Sequence, residues 1–146
     1  MKSLKKFDYY IEKNIIRKCN IDIKRAKSLR MESENSYLTL IDYFKCSGIG
    51  PRSSNMIIKM GYDVVMELIR ARMLFDGFVS SGYGAHEAEV SYLREIGFLE
   101  SDVLFVNGLR YFRNGIVYYG KVLDENYAMK VLDFVKRIRE DLSEDD

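Results

Sequence analysis

Apolar residues recur every three or four positions along most of this 146-residue chain, which is the period of a helix with one buried face. The spacing predicts a long first helix over residues 5–31. Its apolar positions are Phe7, Ile11, Ile15, Cys19, Ile23, Ala26 and Leu29. The polar stretch 33–36 predicts a break before a short second helix over residues 37–45. The glycines and the proline of residues 47–51 predict a turn.

The same spacing predicts a third helix over residues 51–79, a fourth over residues 86–96 and two more toward the C-terminus. We expect Ser101 or Asp102 to cap the fifth helix and Asp124 to cap the last, because short polar side chains accept hydrogen bonds from the first free N–H groups of a helix. The last helix carries a narrow apolar seam of Ala128, Val131, Val135, Ile138 and Leu142. Such a seam is typical of a helix packed in a bundle.

These elements predict the fold class. No strand is predicted, and a single proline in the chain leaves few helix breakers, so we expect an all-α fold. Long helices joined by short connections predict an up-and-down bundle of five to six helices. We expect one domain over residues 1–146, because no repeat or linker divides the sequence.

Composition narrows the class of protein. Apolar residues make up 47% and charged residues 31% of the chain, which is typical of a globular protein and excludes a disordered one. No run approaches the roughly 18 apolar residues of a membrane-spanning helix, and no signal-peptide pattern follows the basic N-terminus. Cys19 and Cys46 lack metal-ligand spacing, and no phosphate-binding glycine loop is present. We therefore expect a cytoplasmic protein with free thiols, no metal, no cofactor and no membrane association.

Charge is distributed unevenly although the net charge is only +1. Residues 1–30 carry ten Lys or Arg and three Asp or Glu, a net charge of +7, whereas residues 140–146 carry five acidic residues and no basic one. Two interpretations of this basic first helix stay open: it contacts phosphate, or it is a solvated face offset by the acidic tail. The end of that tail, residues 143–146, is expected to fray.

The segment 109–120 carries the candidate chemistry. Arg110 and Arg113 are three positions apart and share a helix face, with Asn114 beside the second arginine. Two tyrosines, Tyr118 and Tyr119, precede a glycine suited to a helix stop. Guanidinium groups can hold a phosphate, and an amide and a phenol ring can contact a base. The alternative is structural: the arginines pair with acidic neighbours and the rings fill the core.

Residues 113–118, Arg-Asn-Gly-Ile-Val-Tyr, resemble the Arg-Asn-x-x-x-His signature of HEPN domains (higher eukaryotes and prokaryotes nucleotide-binding). The flanking residues 109–112 and 119–120 and the earlier stretch 86–93 are similar to archaeal stand-alone members of this family. The likeness covers roughly residues 53–142 and is weaker over the first 50 residues.

The resemblance implies a bundle of four or five helices that forms a homodimer. Many members of the family are metal-independent RNases whose motif Arg and His line a cleft at the dimer interface. Others bind nucleotides or partner proteins without catalysis. Some are toxins paired with a minimal nucleotidyltransferase, which can modify a tyrosine two residues after the motif histidine.

Transferred residue by residue, the motif arginine falls on Arg113 and its polar neighbour on Asn114, but the motif histidine falls on Tyr118. The modifiable tyrosine of the toxins falls on Gly120, next to Tyr119. A phenol with an ordinary pKa near 10 is about a thousandfold short of ionised at pH 7, whereas an imidazole titrates near 6.5. Tyr118 therefore weakens the acid–base role. His86 could replace it only if the fold brings the two together.

The expected function is a HEPN-like nucleotide- or RNA-binding protein with a degenerate RNase site. The catalytic candidates are Arg113 and Tyr118. The binding candidates are Arg110, Arg113, Asn114, Tyr118, Tyr119 and His86. One alternative is an active metal-independent RNase toxin with a nucleotidyltransferase partner, and another is a structural helical dimer without a ligand.

Overall fold

Six helices and one two-stranded sheet form residues 3–143, the part of the chain that this computed structural model describes. The helices are α1 (Phe7–Glu12), α2 (Ile23–Ser47), α3 (Ser54–Asp76), α4 (Ala85–Glu95), α5 (Glu100–Tyr119) and α6 (Glu125–Ser143). The strands are β1 (Ile16–Lys18) and β2 (Phe78–Ser80). The all-α helical bundle is confirmed. None of the helices in this range is long and apolar enough to cross a membrane. Fraying was predicted for residues 143–146; Ser143 is the last residue of α6, and residues 144–146 lie outside the described range.

Helix α3 is the centre of the bundle, because residues on most of its faces are buried. It packs against α2, α4, α5 and α6. Gly61 permits the close approach of α6, since a Cβ atom at this position would lie 2.6 Å from Cγ1 of Val131. The predicted seam of α6 is confirmed as its buried face: Ala128, Val131, Val135, Ile138 and Leu142 are all in the core.

The single helix predicted over residues 5–31 is wrong. Helix α1 is only six residues long, and Asn14 follows it with a φ of 59°, a left-handed conformation that asparagine tolerates better than most residues. The chain then extends into β1. A separate helix, α2, begins at Ile23, and Asp22 is its N-cap residue. The side chain of Asp22 accepts a hydrogen bond from the backbone N–H of Arg25 at 2.9 Å. Helix α1 itself carries no basic residue. Among the described residues, the basic side chains of this region lie on β1, on α2 and in the segments on either side of α1, rather than on one helix face.

The helix break predicted at residues 33–36 is also wrong. Helix α2 runs through this stretch, so the helix predicted over residues 37–45 is only its second half. Ser33 is buried, and its hydroxyl donates a hydrogen bond to the backbone oxygen of Val64 in α3 at 3.2 Å. The serine that suggested a loop is thus part of the contact between α2 and α3.

No strand was predicted, yet β1 and β2 pair in an antiparallel ladder in which Ile16 lies opposite Ser80. Helix α3 was expected to continue to residue 79, but it ends at Asp76 because Gly77 adopts a φ of 88° and turns the chain. Each strand has three residues, which is too short for a period of two to be visible in the sequence. The pairing of β1 with β2 connects the N-terminal segment to the chain that follows α3.

The predicted turns and the last cap are confirmed. Gly48 ends α2 with a φ of 65°, and Gly120 ends α5 with a φ of 63°. The side chain of Asp124 accepts a hydrogen bond from the backbone N–H of Tyr127 at 2.8 Å, which caps α6. Helix α4 lies within one residue of its predicted bounds at each end.

The start of α5 differs from the prediction. The helix begins at Glu100 with Leu99 as its N-cap residue, so neither Ser101 nor Asp102 caps it. Asp102 instead accepts a hydrogen bond from the guanidinium of Arg137 in α6 at 2.7 Å. Its carboxylate therefore joins two helices rather than ending one.

Candidate functional site

Three helices bring five polar or charged side chains together at one site, which we name the arginine–histidine cluster: Tyr62, Arg70, His86, Arg110 and Arg113. Helix α3 supplies the tyrosine and one arginine, the first turn of α4 supplies the histidine, and α5 supplies the other two arginines. The two arginines of α5 come to the cluster because their three-residue spacing puts both toward the inner side of the helix.

His86 is held between a phenol and a guanidinium. Its Nδ1 atom lies 2.9 Å from the hydroxyl oxygen of Tyr62, and its Nε2 atom lies 3.4 Å from an Nη atom of Arg70. Since a guanidinium only donates hydrogen bonds, Nε2 is the acceptor. The hydrogen-bond network thus assigns the proton of the neutral ring to Nδ1, which donates to Tyr62.

The surroundings of His86 favour its neutral form. Partial burial of the ring is the largest cause that lowers its pKa below the ordinary value. The carboxylate of Glu89 acts in the opposite direction, and the positive charges of Arg70, Arg113 and Arg110 lower the pKa further. The imidazole is therefore neutral at pH 7.

Tyr62 stays protonated. Burial, the largest cause, raises the pKa of its phenol well above the usual range, although the neighbouring arginines act in the opposite direction. Its hydroxyl remains a fixed hydrogen-bonding group for His86 rather than a second base.

Arg110 is bound firmly to its surroundings. Its Nε and Nη2 atoms donate to the Oδ1 atom of Asn107 at 3.2 and 3.1 Å, and Nη1 lies 3.6 Å from a carboxylate oxygen of Glu87. Asn107 is itself buried. Arg110 is one of the two arginines of segment 109–120. It therefore agrees with the structural alternative, in which these arginines pair with acidic neighbours.

Arg113 differs, because no carboxylate of the described residues lies within ion-pair distance of its guanidinium. The side chain is half-buried, its guanidinium carbon lies 5.4 Å from the centre of the Tyr62 ring, and Nη1 donates a long hydrogen bond of 3.4 Å to Asn114. A cation–π contact attracts the charge without neutralising it. The positive charge of Arg113 thus remains available to an anion.

Tyr118 and Tyr119 lie outside the cluster. They are 69% and 80% exposed at the end of α5, so the alternative in which their rings fill the core is wrong. Tyr118 follows Arg113 by five positions, which separates them by about 7.5 Å along the helix and about 140° around it. His86 contacts Tyr62 and Arg70, and no contact among the described residues joins it to either tyrosine. The fold therefore places His86 near Arg113 rather than near Tyr118.

The outer side of α5 is apolar and exposed. Leu104, Tyr111 and Tyr118 are at least 45% exposed and follow one another at seven-residue intervals, so they share a face that we name the α5 stripe. Nine positions separate Leu104 from Arg113, which puts them about 180° apart around the helix. Arg113 and the stripe are thus on opposite sides of one element, and Arg110 lies about 100° around the helix from Tyr111.

Sequence reasoning missed Tyr62 and Arg70 as members of this cluster, and it missed the neighbouring Glu89. One signal was present: Arg70 directly follows the apolar residues Leu68 and Ile69, and Glu89 stands between Ala88 and Val90. Charged side chains at such positions are almost always paired when they are buried. Their actual partnership, an Nε to Oε2 hydrogen bond of 2.8 Å, joins two helices and is invisible in either stretch alone.

Comparisons with models of protein families, with curated proteins and with solved structures found no match to this chain. They neither support nor oppose the HEPN resemblance. Among the described residues, no group of three or more His, Cys, Asp or Glu side chains is arranged to hold a metal ion.

Proposed function

We propose that this chain is a HEPN-like protein that binds nucleotides or RNA by holding a phosphate at the arginine–histidine cluster. The half-buried guanidinium of Arg113, which lacks a carboxylate partner among the described residues, carries the proposal. A guanidinium presents its donors in a fork that matches phosphate oxygens, and partial burial strengthens such a charge-assisted hydrogen bond.

The local charge balance supports an anionic ligand. Three guanidinium groups, those of Arg70, Arg110 and Arg113, face two carboxylates, those of Glu87 and Glu89, around a neutral imidazole. One positive charge remains, and Asn114 adds an amide next to it. The negative charge of a bound phosphate group would neutralise this remaining positive charge.

The binding function is proposed without cleavage. The motif position of the catalytic histidine is Tyr118, and its exposed ring lies well away from Arg113 around the helix. In this proposal Tyr118 and Tyr119 are exposed residues of a protein interface and do not contact the phosphate.

A catalytic alternative, a metal-independent RNase toxin, is favoured by one observation. His86 is a neutral imidazole among three guanidinium groups, and its Nε2 atom is occupied only by a long contact of 3.4 Å with Arg70. If a ribose 2′-hydroxyl displaces this contact, Nε2 can take its proton while the guanidinium groups bind the phosphate. In this alternative His86 supplies the base that the motif lacks.

The partner proposed for the α5 stripe is a second copy of the chain. An apolar row of Leu104, Tyr111 and Tyr118 on one helix suits a symmetric interface, in which α5 meets α5 of the other copy. Arg113 then lies on the far side of each α5, outside the seam. A minimal nucleotidyltransferase on the same stripe is the partner in the toxin alternative.

Binding of a short labelled single-stranded RNA, followed by fluorescence anisotropy, tests the phosphate site. Arg113→Met keeps the length of the side chain and removes its charge, so we expect the dissociation constant to rise about tenfold to a hundredfold. Arg137→Met removes a charge on α6 outside the cluster and should change affinity only slightly. If both variants lost the same amount of RNA affinity, binding would depend on the overall positive charge and not on a phosphate site at Arg113. No binding by the wild type would leave the ligand-free structural dimer as the function.

An RNA cleavage assay in EDTA separates binding from catalysis. The proposal expects intact RNA with the wild-type protein, and the HEPN resemblance expects cleavage to appear in Tyr118→His, which restores the family signature. Cleavage by the wild type that disappears in His86→Ala would replace the proposal with the RNase alternative.

A further inference from the structure

A cavity of about 250 Å³ opens beside the arginine–histidine cluster. It lies between the start of α2, the end of α3, β2 and the first turns of α4. Arg25, Arg70, Ser80, His86 and Glu89 give it polar groups on several sides. The rest of the lining is mainly apolar and includes Leu29, Met73 and Phe78. His86 belongs both to this lining and to the cluster, so the cavity and the proposed phosphate site adjoin.

Glu89 is the unusual group in this lining. The residue is only 3% exposed, and its Oε2 atom accepts hydrogen bonds from Arg70 and from the hydroxyl of Ser80, both at 2.8 Å. Its Oε1 atom is buried and has no hydrogen-bond partner among residues 3–143. A buried acceptor without a partner destabilises a folded protein, so a donor that reaches Oε1 is strongly favoured.

The charges of the lining decide which kind of donor fits. Arg25 and Arg70 both line the cavity, so an ammonium or guanidinium ligand meets two positive charges. An anionic group placed near Oε1 would be repelled by the carboxylate of Glu89. The group that suits both is a neutral N–H on an otherwise apolar, flat body, and a nucleobase has this chemistry.

We propose that this cavity receives the base of a nucleotide, with an N–H on the Watson–Crick edge of the base donating to Oε1 of Glu89. Because Oε1 is covered in the ligand-free chain, the side chains around it shift when the base binds. The inference rests on the proposed function for the phosphate: the same molecule then places its phosphate on the Arg113 side of His86. The cluster recognises the phosphate, the cavity recognises the base, and His86 lies between the two.

Three probes in isothermal titration calorimetry separate base recognition from phosphate recognition. AMP carries the 6-amino group, purine riboside 5′-monophosphate lacks every N–H on that edge of the base, and ribose 5-phosphate lacks the base. We expect AMP to bind at least tenfold more tightly than the other two, because only AMP supplies the donor for Oε1. Equal affinities for all three would overturn the base site and leave the phosphate site intact.

The opposite failure is distinguishable. If AMP binds and Arg113→Met does not weaken it, the base site is supported and the phosphate proposal is overturned. If none of the three probes binds the wild-type protein, both proposals are overturned.

Glu89→Gln tests the acceptor directly. The amide oxygen of the glutamine is expected to stay with Arg70 and Ser80, since both donate to it, and the NH₂ group then replaces Oε1. The acceptor becomes a donor, so AMP should lose at least tenfold in affinity. Ribose 5-phosphate should bind at least as tightly as before, because the substitution removes a negative charge next to the proposed phosphate site. Glu95→Gln removes the same charge from α4 outside the cavity and should leave AMP binding unchanged. An unaltered preference for AMP in Glu89→Gln would overturn the inference.

Leu29→Phe provides a second variant that leaves the buried ion pair intact. Leu29 is a half-buried residue of the cavity lining, and a larger ring there narrows the space for a base. We expect AMP to lose its advantage over ribose 5-phosphate. An advantage that persists in this variant would count against the cavity as the place of the base.

Discussion

The two sides of α5 carry different residues in different surroundings. On the inner side, Arg110 and Arg113 are partly buried and contact Asn107, Glu87 and Tyr62. On the outer side, the residues of the α5 stripe are apolar and exposed. A short sequence motif that spans six positions of a helix crosses from one side to the other, and its residues therefore need not belong to one site.

The difference between these sides lies in what surrounds each residue. The inner side faces α3 and α4, so its arginines are fixed by hydrogen bonds and their charges act on His86. The outer side faces solvent in the single chain, and its exposed rings gain most by meeting another apolar surface. Variants that alter one side alone test whether the two functions are separate.

The largest effect is expected from a charge placed on the outer side. Tyr111 lies in the middle of the α5 stripe, so in a symmetric dimer Tyr111→Asp brings two like charges close together and removes two rings. We expect the dimer to weaken about a hundredfold or more, since such juxtaposition costs several kcal/mol. Sedimentation velocity over a range of protein concentrations measures the change.

Met31→Asp is the matched control, because Met31 is an exposed apolar residue on α2. It should leave the dimer intact. A wild-type protein that sediments as a monomer at micromolar concentration would contradict the dimer. If Tyr111→Asp abolishes RNA binding together with dimerisation, the phosphate site needs both copies of the chain, contrary to the separation of the two sides.

An intermediate effect is expected on the inner side. Arg110→Met removes both donors from the buried oxygen of Asn107 and the counterion from Glu87, so the free energy of unfolding should fall by about 1–3 kcal/mol. Urea unfolding at a fixed protein concentration measures it. Arg137→Met breaks a more exposed ion pair, and its loss should stay below about 1 kcal/mol. Equal losses would mean that the Arg110 network stabilises no more than a surface pair.

The elements that sequence reasoning located are those whose evidence is local. The seam and the cap of α6 follow from a period of 3.6 and from one aspartate, and both are in the structure. The first helix failed because the left-handed Asn14 and the pairing of Ile16 with Ser80 depend on a partner strand more than sixty positions away. Apolar spacing continued across β1 and gave no sign of that pairing.

The site shows the same limit. The shared side of Arg110 and Arg113 followed from their three-residue spacing, and His86 was named as the substitute base. Its actual contacts, Tyr62 and Arg70, belong to another helix, and only the packing of α4 on α3 brings them to the imidazole. Tyr118 was placed in the site because the motif is contiguous in sequence, whereas its neighbours in space are different.

The smallest effect concerns the pKa of His86, which is the only histidine in the chain and therefore gives an unambiguous NMR titration. Burial and the nearby arginines lower the pKa, so the unfolded chain, titrating near 6.5, binds more protons than the folded one just below that value. The contribution of His86 to the free energy of unfolding is thus fully present above about pH 6.5, and it is lost as the pH falls through the lowered pKa. Arg113→Met should raise the pKa of His86, because it removes a positive charge from the inner side, whereas Tyr119→Phe on the exposed end of α5 should not move it. A titration that responds equally to the two variants would show that His86 does not distinguish the cluster from the rest of the surface.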